Sequence, residues 1–93
     1  MDKKIADKVL YIMTLAMLRN SSGASCVFVR YFGNSNTLSV KSYDNGWHWS
    51  YGQPAPVPDL DVSAVLDLDS CEAELEKAMK HLESMEVKQD VAV

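Results

Sequence analysis

The chain has 93 residues, enough for one domain with a single modest core and too few for two. Its composition is 47% hydrophobic and 24% charged, with four Gly, three Pro and two Cys, which excludes collagen-like, low-complexity, disulfide-scaffold and wholly disordered classes. The net charge of −4 is unevenly spread: residues 1–58 hold six basic side chains and three acids, residues 59–93 ten acids and three lysines.

Residues 3–19 read as a helix. Ile5, Val9, Ile12 and Ala16 recur at helical spacing, with Ala6, Leu10, Met13 and Met17 beside them, while Leu15 and Leu18 fall outside that stripe. Asp2 is the expected N-cap, and Asn20 to Gly23 the expected stop. From Val9 onward the helix is apolar nearly all round, so it is either sandwiched in a core or shared with another subunit. The same stretch resembles a signal peptide, but Asp2 and Asp7 put acids in the basic region and Arg19 interrupts the cleavage region. It is also too short to span a bilayer. A cytoplasmic chain with Cys26 and Cys71 reduced is the expectation.

Cys26 to Phe32 is rich in β-branched and aromatic residues and reads as a strand, followed by a turn at Gly33 to Asn36 and a second strand from Thr37 to Tyr43. Asn45-Gly46 is a strong hairpin signal, which makes Trp47 to Tyr51 the third strand of a meander. Gly52 to Pro58 carries three prolines and reads as an extended connector. Over residues 62–68, Val62, Ala64, Leu66 and Leu68 alternate, which suits a short fourth edge strand or a helical turn. Asp69 and Glu72 have capping-box spacing. Cys71, Leu75, Ala78, Met79, Leu82 and Met85 then mark one face of a helix to about residue 87. The fold class is therefore α+β, with both helices packed on one face of an antiparallel sheet.

The turns set a register. Phe32 should face Thr37, Tyr31 face Leu38 and Val29 face Val40; across the second turn, Asp44 should face Trp47, Ser42 face Trp49 and Val40 face Tyr51. One sheet face then carries Val27, Val29, Tyr31, Leu38, Val40, Trp47, Trp49 and Tyr51 as the core. The other carries Cys26, Phe28, Arg30, Phe32, Lys41, Tyr43, His48 and Ser50. Aromatic and basic residues interleaved on a sheet face suit a protein partner or second subunit, cover by residues 53–68 or a helix of the same chain, and also single-stranded nucleic acid.

Catalytic and metal chemistry is poorly supported. Cys26 and His48 fall on outer strands two spacings apart, roughly 10 Å, which is too far for a nucleophile pair. Cys26, His48, Cys71 and His81 contain no close ligand pair for zinc. Asp59, Asp61, Asp67 and Asp69 alternate with apolar residues but lack the glycine of a calcium loop, and no phosphate-binding glycine motif is present. No cofactor is expected.

The leading expectation is a small acidic non-enzymatic protein-binding or regulatory module, acting through Phe28, Arg30, Lys41, Tyr43 and His48 on the sheet and Glu72, Glu76 and Glu83 on the acidic helix. Its expected partners are a second copy in a homodimer and a basic protein, with no membrane. One variant is an accessory inhibitor of the kind phages or mobile elements carry, with its acidic surface blocking a basic nucleic-acid site. Nucleic acid is a weaker expectation because the chain is net negative. A small-molecule or minor enzymatic site at His48 is a third.

Overall fold

The computed structural model describes residues 2–48 and 50–85. The elements run α1 (Lys3–Ser21), β1 (Cys26–Phe32), β2 (Thr37–Tyr43), β3 (Leu60–Val65) and α2 (Cys71–Ser84). The strands form one antiparallel sheet in the order β1-β2-β3. Both helices pack against one face of it, giving the expected α+β architecture in two layers.

Helix α1 starts where Asp2 accepts a hydrogen bond from Lys4 N at 2.8 Å, so the expected N-cap forms. It ends in a turn closed by Gly23 N donating to Asn20 O, with Gly23 at φ +76°. Its buried residues are Ile5, Ile12, Leu15, Ala16 and Arg19. Leu15 is therefore core, whereas Leu10, Met13 and Met17 face outward. An almost uniformly apolar helix leaves the choice of buried face to its neighbours, here the sheet on one side and α2 on the other.

The β1–β2 hairpin has the expected register, with Phe32 opposite Thr37, Tyr31 opposite Leu38 and Val29 opposite Val40. Its four-residue loop places Asn36 at φ +51°, a conformation Asn tolerates better than most residues. The outer edge of β1 is partly closed by Asn20. Its side-chain oxygen accepts from Val27 N at 2.7 Å and its amide donates to Val27 O at 3.0 Å. That pair of bonds imitates a neighbouring strand and blunts the edge.

The third strand is not Trp47 to Tyr51. Trp47, His48, Ser50 and Tyr51 lie in loop, and Trp49 is outside the described residues. Gly46 N donates to Tyr43 O at 2.9 Å, and the turn leads the chain away from the sheet. Asp59 N then donates to Ser42 O at 2.8 Å, and Leu60–Val65 takes the open edge of β2. Ser42 therefore pairs with Leu60 and Val40 with Val62, not with Trp49 and Tyr51. The segment read as a possible fourth strand at 62–68 is the third, shifted toward the prolines. Leu60, Val62 and Ala64 alternate cleanly into the core and fit the thin space between sheet and helices, which two tryptophans would overfill. Trp47 consequently leaves the core face, and Tyr51 is 97% exposed.

Helix α2 buries Cys71, Leu75, Ala78 and Leu82, with Met85 buried just beyond and Met79 half-buried, as its periodicity predicts. The expected helix end near residue 87 falls outside the described residues. The Asp69–Glu72 capping box does not form. Ser70 is the N-cap residue, and Glu72 turns instead to Lys8 of α1.

Candidate functional site

Strand alternation sends every second side chain of β1 and β2 away from the helices. On that outer face Phe28, Arg30 and Phe32 of β1 stand beside Ser39, Lys41 and Tyr43 of β2. Trp47, brought over by the turn at Gly46, completes the wall of a hollow of about 540 Å³ lined by these seven residues.

Three rings form its apolar side. Phe28 and Tyr43 have centroids 5.7 Å apart, Phe28 and Trp47 5.6 Å, and Tyr43 and Trp47 4.9 Å, each pair nearly perpendicular. Edge-to-face packing directs the positive ring edge of one residue at the negative face of the next, which fixes the rings before any ligand arrives. Tyr43 is only 8% exposed under this arrangement, whereas Trp47 and Phe32 remain 45% and 44% exposed. The site thus has a packed floor and an open rim.

Arg30 and Lys41 bring positive charge to the same hollow. Both are exposed, and neither forms an ion pair among the described residues. Asp61 of β3 stands opposite Lys41 in the register and is the nearest acid by strand pairing. A basic, aromatic hollow on a chain of net charge −4 is a local reversal of sign that favours an anionic group.

Four of the predicted site residues, Phe28, Arg30, Lys41 and Tyr43, are therefore gathered in one place. His48 is not among them. It lies beyond Trp47, beside a second, more open hollow with Ser50, Gln53 and Pro54, and its Nε2–H donates to Asn45 O at 2.8 Å. The three predicted acids of α2 face α1. Lys8 Nζ lies 3.3 Å from Glu72 and 3.4 Å from Glu76, and Tyr11 OH donates to Glu83 at 2.6 Å. The Glu72 hydrogen bond, reinforced by Glu76 and opposed by partial desolvation, raises the Lys8 pKa.

A polar cluster at the sheet end escapes sequence reading. His81 Nε2–H reaches both Asp44 carboxylate oxygens at 3.0 Å, and Ser42 Oγ donates to the same carboxylate. Serine, aspartate and histidine here resemble a hydrolase triad in composition only. Asp44 stands between the other two, so His81 cannot take the Ser42 proton, and Ser42 is fully buried against Met85. The cluster instead fastens α2 to the end of β2, and Asp44 N donates to Asp59 to bring in β3.

Burial, assisted by Glu72, Asp69 and Asp67, pushes the Cys71 thiol up and keeps it protonated. Cys26 is a free thiol on the outer face, half-buried, and cannot reach Cys71 through the sheet. Asp67 accepts from Asn36, and Asp59 from Asp44 N, so two of the four alternating aspartates serve the fold. Among the described residues no three His, Cys, Asp or Glu side chains gather as a metal site, and no helix is long and apolar enough to cross a membrane.

Sequence reasoning missed two groove residues: Ser39, which strand alternation itself places there, and Trp47. The signal for Trp47 was the run of prolines at 54, 56 and 58 next to the alternating residues 60–65, which together favour the later strand. No protein-family model matches the chain, and neither a curated protein nor a solved structure resembles it significantly.

Proposed function

We propose that this protein is a non-enzymatic protein-binding or regulatory module whose working surface is the outer sheet face. The observation that carries this reading is the edge-to-face Phe28–Tyr43–Trp47 cluster with Arg30 and Lys41 at its rim, on the face that the helices leave open. Its ligand is an acidic segment of a partner protein that carries an apolar or aromatic side chain. The side chain packs on the rings while carboxylates meet the two cations. The protein acts in the cytoplasm and as a homodimer. An inhibitor using the acidic helix against a basic partner draws less support, because Lys8 and Tyr11 already engage Glu72, Glu76 and Glu83.

Chemical-shift mapping tests this reading, using short peptides rich in Asp, Glu and Phe. Shifts at Phe28, Arg30, Lys41, Tyr43 and the Trp47 indole, abolished by Arg30→Glu with Lys41→Glu, support it. Silence at this face with every peptide overturns it.

Single-stranded nucleic acid is the second reading, favoured by the same alternation of rings and cations. An oligothymidine titrated at low salt decides between them. Shifts with the oligonucleotide and none with peptides would replace the first reading with the second.

A further inference from the structure

The core side of α1 is settled, and its other side is unusual. Leu10 is 64% exposed, Met13 39%, Met17 68% and Leu18 52%. Between Asp7 and the end of the helix the only charged residues are Lys8, which turns to Glu72 and Glu76 of α2, and Arg19, buried at 3% exposure, so the outward side carries no charge.

The side-chain hydroxyls of this stretch, though exposed, already have partners within the chain. Thr14 Oγ1 donates to Leu10 O at 2.9 Å and Ser21 Oγ to Leu18 O at 2.7 Å, within the helix itself. Tyr11 OH reaches across to Glu83. With its hydroxyl held by its own backbone, Thr14 presents a methyl group. The face can therefore be dried without stranding a donor.

We propose that two copies of this chain pair through this face, α1 against α1, antiparallel about a two-fold axis at Thr14. The proposal rests on the reading that the protein is a homodimer and names the surface. A two-fold axis needs a self-complementary strip. The strip has one: small Thr14 lies at its middle, with Leu10 about one turn before it and Met17 and Leu18 about one turn after. Antiparallel pairing sets Leu10 of one copy against Met17 and Leu18 of the other, and the small central residue lets the helices approach. It also aligns the two helix dipoles favourably. The neutral strip spares two negatively charged chains a direct charge clash. A standard interface takes about 800 Å² from each partner, so a strip one helix wide makes an exchanging dimer, not an obligate one.

Sedimentation equilibrium of the full chain over a concentration series tests this. A monomer–dimer equilibrium is expected. Leu10→Glu with Met17→Glu should raise its dissociation constant at least about tenfold, while circular dichroism and thermal midpoint stay near those of the parent. Lys77→Glu, on the exposed side of α2 and outside the groove, should leave the equilibrium unchanged. In a Cys26→Ser background, Thr14→Cys should form a disulfide-linked dimer on mild oxidation, and Lys3→Cys should not. A chain that stays monomeric at every concentration overturns both the homodimer and this surface. A dimer that survives Leu10→Glu with Met17→Glu and yields no Thr14→Cys cross-link keeps the homodimer and overturns the surface.

Discussion

Arg19 of α1 donates its Nε–H to the carbonyl of Leu82 in the last turn of α2, across 2.9 Å, and is itself only 3% exposed. The carbonyls at a helix end have no partner within the helix, and the helix dipole makes that end negative. A buried guanidinium answers both needs and joins the two helices where each ends. Its own carbonyl accepts from Ser22 and Ser25, so the α1–β1 corner is organised by the same residue. Replacing Arg19 with Ala should cost about 2–4 kcal/mol, from the stranded carbonyl and the lost packing. Urea unfolding measures this. Arg19→Lys should recover only part of the loss, because an ammonium lacks the fixed fork that presents Nε–H to Leu82.

Lys8 gives the fold a defined alkaline response. Its pKa is raised in the folded chain because Glu72 and Glu76 favour the charged form. The folded state therefore holds this proton more tightly than the unfolded state does. The resulting stabilisation is complete below the ordinary lysine value of 10.5 and is lost as pH rises through the higher folded value. Comparing denaturation midpoints of the parent and Lys8→Met across that range isolates it. The difference between the two should shrink with rising pH, and a constant difference would rule out the ion pairs as its source.

Gly46 has φ +92°, and a Cβ built there would meet His48 Nε2 at 3.1 Å. Gly46→Ala should cost about 1–2 kcal/mol through backbone strain and should displace the His48 ring. Because this turn also delivers Trp47 to the groove, the Trp47 indole resonance should move in the same variant. An unchanged indole signal would show that the loop positions Trp47 without the turn.

The groove cations should be dispensable for folding. Arg30→Glu changes an exposed side chain outside the core and should alter stability by no more than about 0.5 kcal/mol, while Lys41→Glu, which sets a second acid opposite Asp61, should cost up to about 1 kcal/mol. Phe28→Ala is different, since it removes two edge-to-face contacts worth about 0.5–1.5 kcal/mol each. Thermal denaturation of the three variants should separate them in that order.

The two thiols should react at different rates. Cys71 is 3% exposed with its pKa pushed up, whereas Cys26 is half-buried. A thiol reagent followed by mass spectrometry should modify Cys26 first in the folded chain and both at once in urea. Simultaneous labelling without denaturant would mean that the start of α2 opens freely.

How much of this was legible depended on whether a segment had one strong partner or several competing ones. Helix α2 was readable because its charged residues leave one apolar stripe, so Leu75, Ala78 and Leu82 had only one direction to face. The first hairpin was readable because a four-residue loop and alternating residues agree on one register. The same alternation placed Phe28, Arg30, Lys41 and Tyr43 together. Helix α1 was readable in its extent and in Ile5, Ile12 and Ala16, but not in the rest of its buried face, since Leu10, Leu15 and Met17 are equally apolar and only the sheet and α2 decide among them. The third strand was not readable. Two segments competed for one edge of β2, and the outcome turned on the Ser42–Asp59 backbone bond and on core volume, both set at long range. His48 and the acids of α2 illustrate a further limit, for the partners that engage them are fixed only by tertiary packing.

The one-sided placement of the helices has a consequence for how this molecule can vary. Along β1 and β2, adjacent residues serve separate masters: Val27, Leu38 and Val40 hold the domain together, while Phe28, Arg30 and Lys41 line the groove on the face that the helices leave open. Substitutions of the two cations leave the packing of the first set almost untouched, so the charge of this face can change at little cost in stability. Such a scaffold can drift in specificity, residue by residue, without crossing the threshold at which it ceases to fold.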